Sequence, residues 1–180
     1  MRMLLHICCG PCATATVEHW EKQGAELEGL FFNPNIHPLL EYRRRLTGVR
    51  DLAAVTGLAL QEDLSYDPAA WFAQVGGQGE ARCRVCIGSR LRRTAEAAAA
   101  GGFSAFSTSL AISPWQDHDA IREEGLAAGA EHGVEFHYQD LRPLFGASRR
   151  MARDLGLYRQ KYCGCLLSEW ERYREPEPCH

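Results

Sequence analysis

The stretch Met3-Leu4-Leu5-His6-Ile7-Cys8-Cys9-Gly10-Pro11-Cys12 decides how the chain is read. Its first half is almost continuously apolar, the pattern of a strand buried on both faces of a sheet, and a strand is expected over 3–8. Gly10-Pro11 breaks that strand, and a helix is expected from there through Trp20. A strand running into a helix N-terminus is the opening unit of a parallel α/β fold, and in nucleotide-binding folds this turn holds phosphate. Here cysteines fill it. The helix N-terminus favours their thiolates, the form that binds metal.

Outward from this unit, further strands are expected at Leu27–Phe32, Leu58–Gln61, Phe103–Ser107 and Val134–Tyr138. Helices are expected at Glu41–Val55, stopped by Gly57, from Asp67-Pro68 through Trp71 and Phe72, at Ile87–Ala100, and at Asp119–Ala128. The glycine-rich 75–82 reads as a loop. Strands alternating with helices predict an α/β, Rossmann-like, three-layer parallel sheet forming a single domain over 1–180. A helical C-terminal part over 140–180 carries Cys163-Gly164-Cys165.

With 180 residues, 46% hydrophobic and 24% charged, the chain has the composition of one ordinary globular domain. No stretch is apolar for long enough to span a membrane, the start lacks the features of a signal peptide, and a cytoplasmic location is expected. No long apolar seam points to an obligate dimer, so a monomer is expected. The net charge of −3 gives no global case for nucleic acid and leaves only a local basic patch.

Eight cysteines are the anomaly, and they cluster: Cys8, Cys9 and Cys12; Cys83 and Cys86; Cys163 and Cys165; Cys179 alone near the end. In a reducing compartment such clusters point to metal or redox chemistry rather than a disulfide framework. Cys8 and Cys9 would point to opposite sides of an extended strand, and a bend at Gly10-Pro11 is needed to turn both towards one metal. Two thiolates from this turn and two from Cys83-Arg84-Val85-Cys86 make a four-cysteine set, which suits zinc or a [4Fe–4S] cluster equally by spacing. Cys163 and Cys165 either close a labile disulfide or, with Cys12, hold a second metal.

Other residues are weighed on both sides. His6, inside a strand, reads as a core histidine. His37, in a loop after a strand, is a candidate site residue. Asp117, His118 and Asp119 fit either a metal cluster or a solvated helix start. Arg43, Arg44 and Arg45, the run Arg90-Leu91-Arg92-Arg93, Arg149-Arg150, and Arg159 beside Tyr158 and Tyr162 form either solvated helix faces or an RNA surface of phosphate-binding and base-stacking groups.

Five motifs together resemble the cobalamin-independent epoxyqueuosine reductases, the QueH family. They are Leu5-His6-Ile7-Cys8-Cys9-Gly10-Pro11-Cys12, Phe32-Asn33-Pro34-Asn35-Ile36-His37-Pro38, Arg82-Cys83-Arg84-Val85-Cys86, Ser107-Thr108-Ser109-Leu110-Ala111-Ile112-Ser113-Pro114, and Leu157-Tyr158-Arg159-Gln160-Lys161-Tyr162-Cys163-Gly164-Cys165. Gly10 stands where alanine is common in the family. The resemblance implies a fold related to the ATP-pyrophosphatase (HUP-type) fold. It implies reductive removal of the epoxide oxygen of epoxyqueuosine in transfer RNA, the last step of queuosine synthesis, consuming two electrons and two protons. It implies a [4Fe–4S] cluster on Cys8, Cys9, Cys83 and Cys86 and a further iron beside it. Cys163 and Cys165 would then be a redox pair or ligands of that iron, with Cys12. His37, Tyr162 and Asp117 are candidate acids, and Arg43, Arg44, Arg45, Arg149 and Arg159 are candidate transfer-RNA contacts. No flavin or nicotinamide fingerprint is present, which points to an external ferredoxin- or flavodoxin-like electron donor.

Two rivals stand beside this. An iron–sulfur transfer-RNA sulfurtransferase on a related fold would carry a Ser-Gly-Gly-type phosphate loop where this chain has cysteines. A zinc-stabilised RNA-binding module would place its ligands close together on short hairpins rather than spread along the chain.

Overall fold

β1 (Arg2–His6) is central because Met3, Leu4, Leu5 and Ile7 are all fully buried, on both faces of the sheet. It lies between β2 (Glu26–Phe31) and β4 (Ala105–Thr108), pairing Leu5 with Gly29 and with Ser107. β3 (Ala59–Glu62) and β5 (Glu135–Phe136) are the edges, giving the order β3-β2-β1-β4-β5 with every pairing parallel. The computed structural model describes residues 1–174. Cys179 therefore lies outside the described residues.

Alternation along β1 sorts the two helical layers. Met3, Leu5 and Ile7 pack with α1 (Gly10–Lys22), α2 (Leu39–Thr56) and Ala152 of α6 (Phe145–Asp154). Leu4 packs with α4 (Arg82–Ala100) and α5 (His118–His132). Two shorter helices, α3 (Pro68–Val75) and α7 (Leu166–Tyr173), complete the fold.

Most boundaries follow local chemistry. Gly57 ends α2 at φ 75° and Gly133 ends α5 at φ 68°, both left-handed. Asp67 caps α3 by accepting from the Ala70 amide at 3.0 Å, with Pro68 in the first turn. Three boundaries differ from expectation. β1 ends at His6 because the Cys8 amide turns away from the sheet to the Ser109 hydroxyl, 3.1 Å away. The 75–82 segment is only partly a loop: Gly79–Ala81 forms a 3-10 turn and α4 starts at Arg82, five residues early, since no breaker follows Gly79. The last strand shrinks to two residues at the sheet edge.

α1 and α2 touch backbone to backbone. A Cβ on Gly10 would stand 2.5 Å from the Gly48 carbonyl oxygen, so this turn needs glycine for space. α6 binds the other side of α1: Thr14 donates to the Ser148 carbonyl at 3.2 Å, and the Ser148 hydroxyl donates to the Pro11 carbonyl.

His6 is fully buried, with its ring between the Thr108 hydroxyl (2.9 Å) and the Phe32 carbonyl (3.2 Å). Burial, helped by the positive charge of Arg90, lowers its pKa from 6.5 to about 4.

Two outcomes are expected. Below pH 6.5 the unfolded chain binds a proton at His6 that the folded chain refuses, so stability falls between pH 6.5 and about 4. The loss is about 3 kcal/mol and levels off below that window. Urea midpoints across this range should fall more steeply for the wild type than for His6→Gln, and parallel curves would refute the assignment. Gly10→Ala should lower stability by about 1–3 kcal/mol, read as a drop in the same midpoint at pH 7, because two backbones must part.

Candidate metal and active site

The cysteines collect beyond the carboxyl end of β1, where the strand order reverses between β1 and β4. Ligands bind at such a switch point in open α/β sheets. The Gly10-Pro11 bend brings the first group together. Cys9 is the N-cap of α1 and Cys12 lies in its first turn. Cys8 and Cys9 Sγ are 3.7 Å apart, and the three sulfurs of Cys8, Cys9 and Cys12 lie within 4.8 Å of one another, close enough to hold one metal. The group shares charge unequally. Hydrogen bonds from the Cys12 and Cys9 thiols, and one from the Ser109 hydroxyl at 3.4 Å, hold the Cys8 thiol well below its ordinary pKa. Burial pushes Cys9 up, and the bonds that Cys12 makes to Cys8 and Cys9 push it up too. The Gln160 amide donates to Cys9 Sγ at 2.9 Å.

The second group joins Cys83 and Cys86, on one face of α4's first turn, to Cys163 and Cys165, just before α7. Cys86 and Cys165 pack with Trp71 and Val75 of α3, while Cys83 and Cys163 are exposed. Burial raises the thiols of Cys83 and Cys86, and the nearby Cys163 and Cys165 add to this. Cys163 and Cys165 are both free thiols. The Gln116 amide donates to Cys163 Sγ at 3.3 Å, and Cys165 Sγ caps α7 by accepting from the Ser168 amide at 3.3 Å.

Arg90 stands between the groups. It is 3% exposed, and its Nε donates to the Cys86 carbonyl at 3.1 Å. Burial alone would weaken its charge, but Cys86, Cys163 and Cys8 offset this, and its pKa is raised. Among the described residues it pairs with no carboxylate. A buried guanidinium facing three thiols, with no carboxylate partner, suits an anionic metal–thiolate group. The donor set therefore fits an iron–sulfur centre.

A cavity of about 680 Å³ opens beside this centre, lined by Cys8, Cys12, Cys163, Arg90, Asn33 and Asn35 among others. Tyr162, Gln116, Arg149 and Arg159 also line it.

Several residues expected from sequence have other work. Arg45 is 2% exposed and is no phosphate ligand. Its Nε pairs with Glu41 at 2.8 Å, and its terminal nitrogens donate to the carbonyls of Cys163 (2.7 Å) and Tyr162 (3.1 Å). Asp117 is the N-cap of α5, accepting from the Ala120 amide at 2.9 Å, the helix-start role, and it is outside the residues lining the cavity. The His37 ring is buried against Trp71, Phe72 and Tyr66, outside the residues lining the cavity. Tyr162 does line the cavity, and its hydroxyl donates to the His37 carbonyl at 2.5 Å. Of the basic run at 90–93, Arg90 is buried, and Arg92 and Arg93 pair with Glu131 and Asp63. Arg43 and Arg44 line a separate shallow depression with Tyr158.

Ser109, Gln116, Gln160 and the inward role of Arg90 escape the sequence reading. Only Arg90 carries a usable signal, since four residues after Cys86 on a helix puts it on the cysteine face.

Fold and site together define a Rossmann-like α/β protein with a cysteine-rich site at its switch point, three of whose sulfurs are placed so that they could hold a metal. Comparison with known proteins narrows this. The family model described as epoxyqueuosine reductase QueH matches residues 3–171. The chain is 42% identical to the epoxyqueuosine reductase QueH of Dehalococcoides mccartyi, over 97% of this chain and 96% of that protein. It is 34% identical to that of Thermotoga maritima, over 94% and 91%. Among solved structures, one described as a predicted subunit of tRNA methyltransferase from Methanocaldococcus jannaschii superposes with a TM-score of 0.52 at 11% identity, covering 87% and 88% of the two chains, a likeness of fold alone. The chain belongs to the epoxyqueuosine reductase QueH family.

Arg45→Met should destabilise the protein by about 3–5 kcal/mol, because Glu41 is left buried and uncompensated. It should also expose residues 158–165 to limited proteolysis, while Glu41→Gln/Arg45→Met recovers part of the stability. Equal proteolysis of wild type and Arg45→Met would remove Arg45 as the strut of that segment.

Proposed function

We propose that the chain reduces epoxyqueuosine in transfer RNA to queuosine: two electrons and two protons enter, both C–O bonds of the epoxide break, the ring carbons become an alkene, and the oxygen leaves as water. Supporting this is one arrangement, a buried Arg90 whose charge is answered by the thiols of Cys86, Cys163 and Cys8, beside a cavity that Cys8, Cys12 and Cys163 line, in a chain of this family.

A [4Fe–4S] cluster on Cys8, Cys9, Cys83 and Cys86, with a second iron or a redox dithiol drawn from Cys163, Cys165 and Cys12, supplies single electrons and a Lewis acid when bound. The chain's own groups prepare the site. Gln160 and Gln116 orient the Cys9 and Cys163 sulfurs by N–H donation, and Ser109 orients Cys8. Arg90 offers positive charge to thiolates and to the departing oxygen. Of the three candidate acids, Tyr162 reaches the cavity wall. Its pKa is raised, chiefly by burial, so it keeps its proton at Oη through neutral pH. Arg43, Arg44, Arg149 and Arg159 are the phosphate contacts in this reading, freeing Arg45 for its structural task. The electrons come from a separate ferredoxin- or flavodoxin-like donor. The enzyme works as a cytoplasmic monomer. Among the described residues, no helix is long and apolar enough to cross a membrane.

Protein purified without oxygen should carry about four acid-labile sulfides and four or five irons, and should convert epoxyqueuosine transfer RNA with a low-potential reductant. Stoichiometric zinc, no sulfide and no conversion would overturn the reading. Cys8→Ala, Cys9→Ala, Cys83→Ala and Cys86→Ala should each lose the sulfide. Cys12→Ala, Cys163→Ala and Cys165→Ala should keep it and lose turnover. Cys12 is the decisive variant, because it sits with Cys8 and Cys9. Sulfide lost in Cys12→Ala would move it into the cluster set.

A further inference from the structure

Trp115 breaks the ordinary rule for large apolar side chains. It is 75% exposed, the most exposed large hydrophobic residue among those described, and it sits on the rim of the cavity that holds the thiols. It follows Pro114, in the connection between the 3-10 turn Ser109–Ile112 and α5. That connection is pinned: the Trp115 amide donates to the Ser113 hydroxyl at 3.3 Å, and the next residue, Gln116, reaches Cys163. The indole is held as well. The Phe145 ring meets it at 84°, with centroids 5.1 Å apart, and the Arg149 guanidinium lies 5.7 Å from the Phe145 ring. A perpendicular neighbour fixes the plane of the indole while taking little of its area. An anchored aromatic plane left in water at a cavity mouth is a surface for something flat.

Charge selects the occupant. Arg149 and Arg159 share the rim, and among the described residues neither pairs with a carboxylate. Aromatic planes set among unpaired arginines match the unstacked base and backbone of single-stranded RNA. We infer that Trp115 is a stacking platform for an unpaired nucleobase adjoining the modified nucleotide, holding the loop while the modified base enters the cavity. This rests on the transfer-RNA reading of the site and makes Trp115 a substrate-positioning residue. Its role is recognition of the loop, and the electron-transfer chemistry is left to the cysteines.

The test is binding of an anticodon stem-loop RNA to the full chain, across a range of salt, for wild type, Trp115→Phe, Trp115→Ala and Arg149→Ala. Thermal melting confirms that each variant folds, as expected for exposed side chains. Trp115→Ala should weaken binding about 10-fold, in line with the loss of one base–aromatic stack, while Trp115→Phe keeps most of the affinity. The salt slope should be unchanged in Trp115→Ala, since no charge is lost, and shallower in Arg149→Ala. On a stem-loop made abasic at the loop positions flanking the modified nucleotide, wild type and Trp115→Ala should bind alike. Undiminished binding by Trp115→Ala alongside weakened binding by Arg149→Ala would overturn the platform and leave the transfer-RNA reading intact. Unchanged RNA binding, with turnover lowered only when a protein donor replaces dithionite, would instead make Trp115 a protein contact and overturn it too. A wild type that binds no stem-loop would remove the transfer-RNA reading and this inference with it.

Discussion

The buried pair of Arg45 with Glu41 is the interaction on which the site depends. Cys163 and Cys165 lie in an irregular segment between α6 and α7, with no sheet partner to place them. Arg45 holds this segment from α2 through the carbonyls of Tyr162 and Cys163, and Tyr158 binds the second oxygen of Glu41 at 2.6 Å. The His37 amide adds a bond to the Gly164 carbonyl at 2.8 Å. A buried ion pair is a poor source of net stability, because desolvation offsets most of its attraction. Its value here is geometric, since it fixes the position of two thiols that local structure leaves free.

The same economy of buried charge explains the core of the site. Seven thiols in one region cannot all ionise without cations nearby, and α2 and α4 each send one arginine inward. Arg45 is balanced by a carboxylate and Arg90 is not. The difference leaves the charge of Arg90 to be answered by thiols alone among the described residues. His6, on the same side of β1 as Leu4 and near Arg90, is kept neutral chiefly by burial, with that surplus adding to it.

What was legible in the sequence followed from short-range chemistry. The Gly10-Pro11 break, the Gly57 stop and the Asp67-Pro68 start each depend on a few neighbouring residues, and each stands where expected. The convergence of Cys8 and Cys9 was legible as a requirement, since strand geometry separates them unless the chain bends. What could not be read depended on direction around a helix axis. Consecutive residues differ by about 100°, so Arg43, Arg44 and Arg45 cannot share a face, and only the packing of α2 decides that the third turns inward. Asp117 stood open for a related reason: a capping aspartate and a catalytic one look alike in sequence, and only the bond from the Ala120 amide, three residues on, shows that this one caps α5. Trp115 drew no notice because exposure is a property of the assembled surface.

The contact between Gly10 and the Gly48 carbonyl bears on how this chain exchanges parts with its relatives. The obstacle to a side chain at position 10 is a backbone atom, present whatever residue occupies 48. In this chain alanine at position 10 would need the second helix to stand farther from the first. Helix spacing and the identity of one turn residue are here a single constraint. A motif grafted into this scaffold with alanine at that position would arrive without the clearance it needs, and the sulfurs on either side of the graft would be displaced with it.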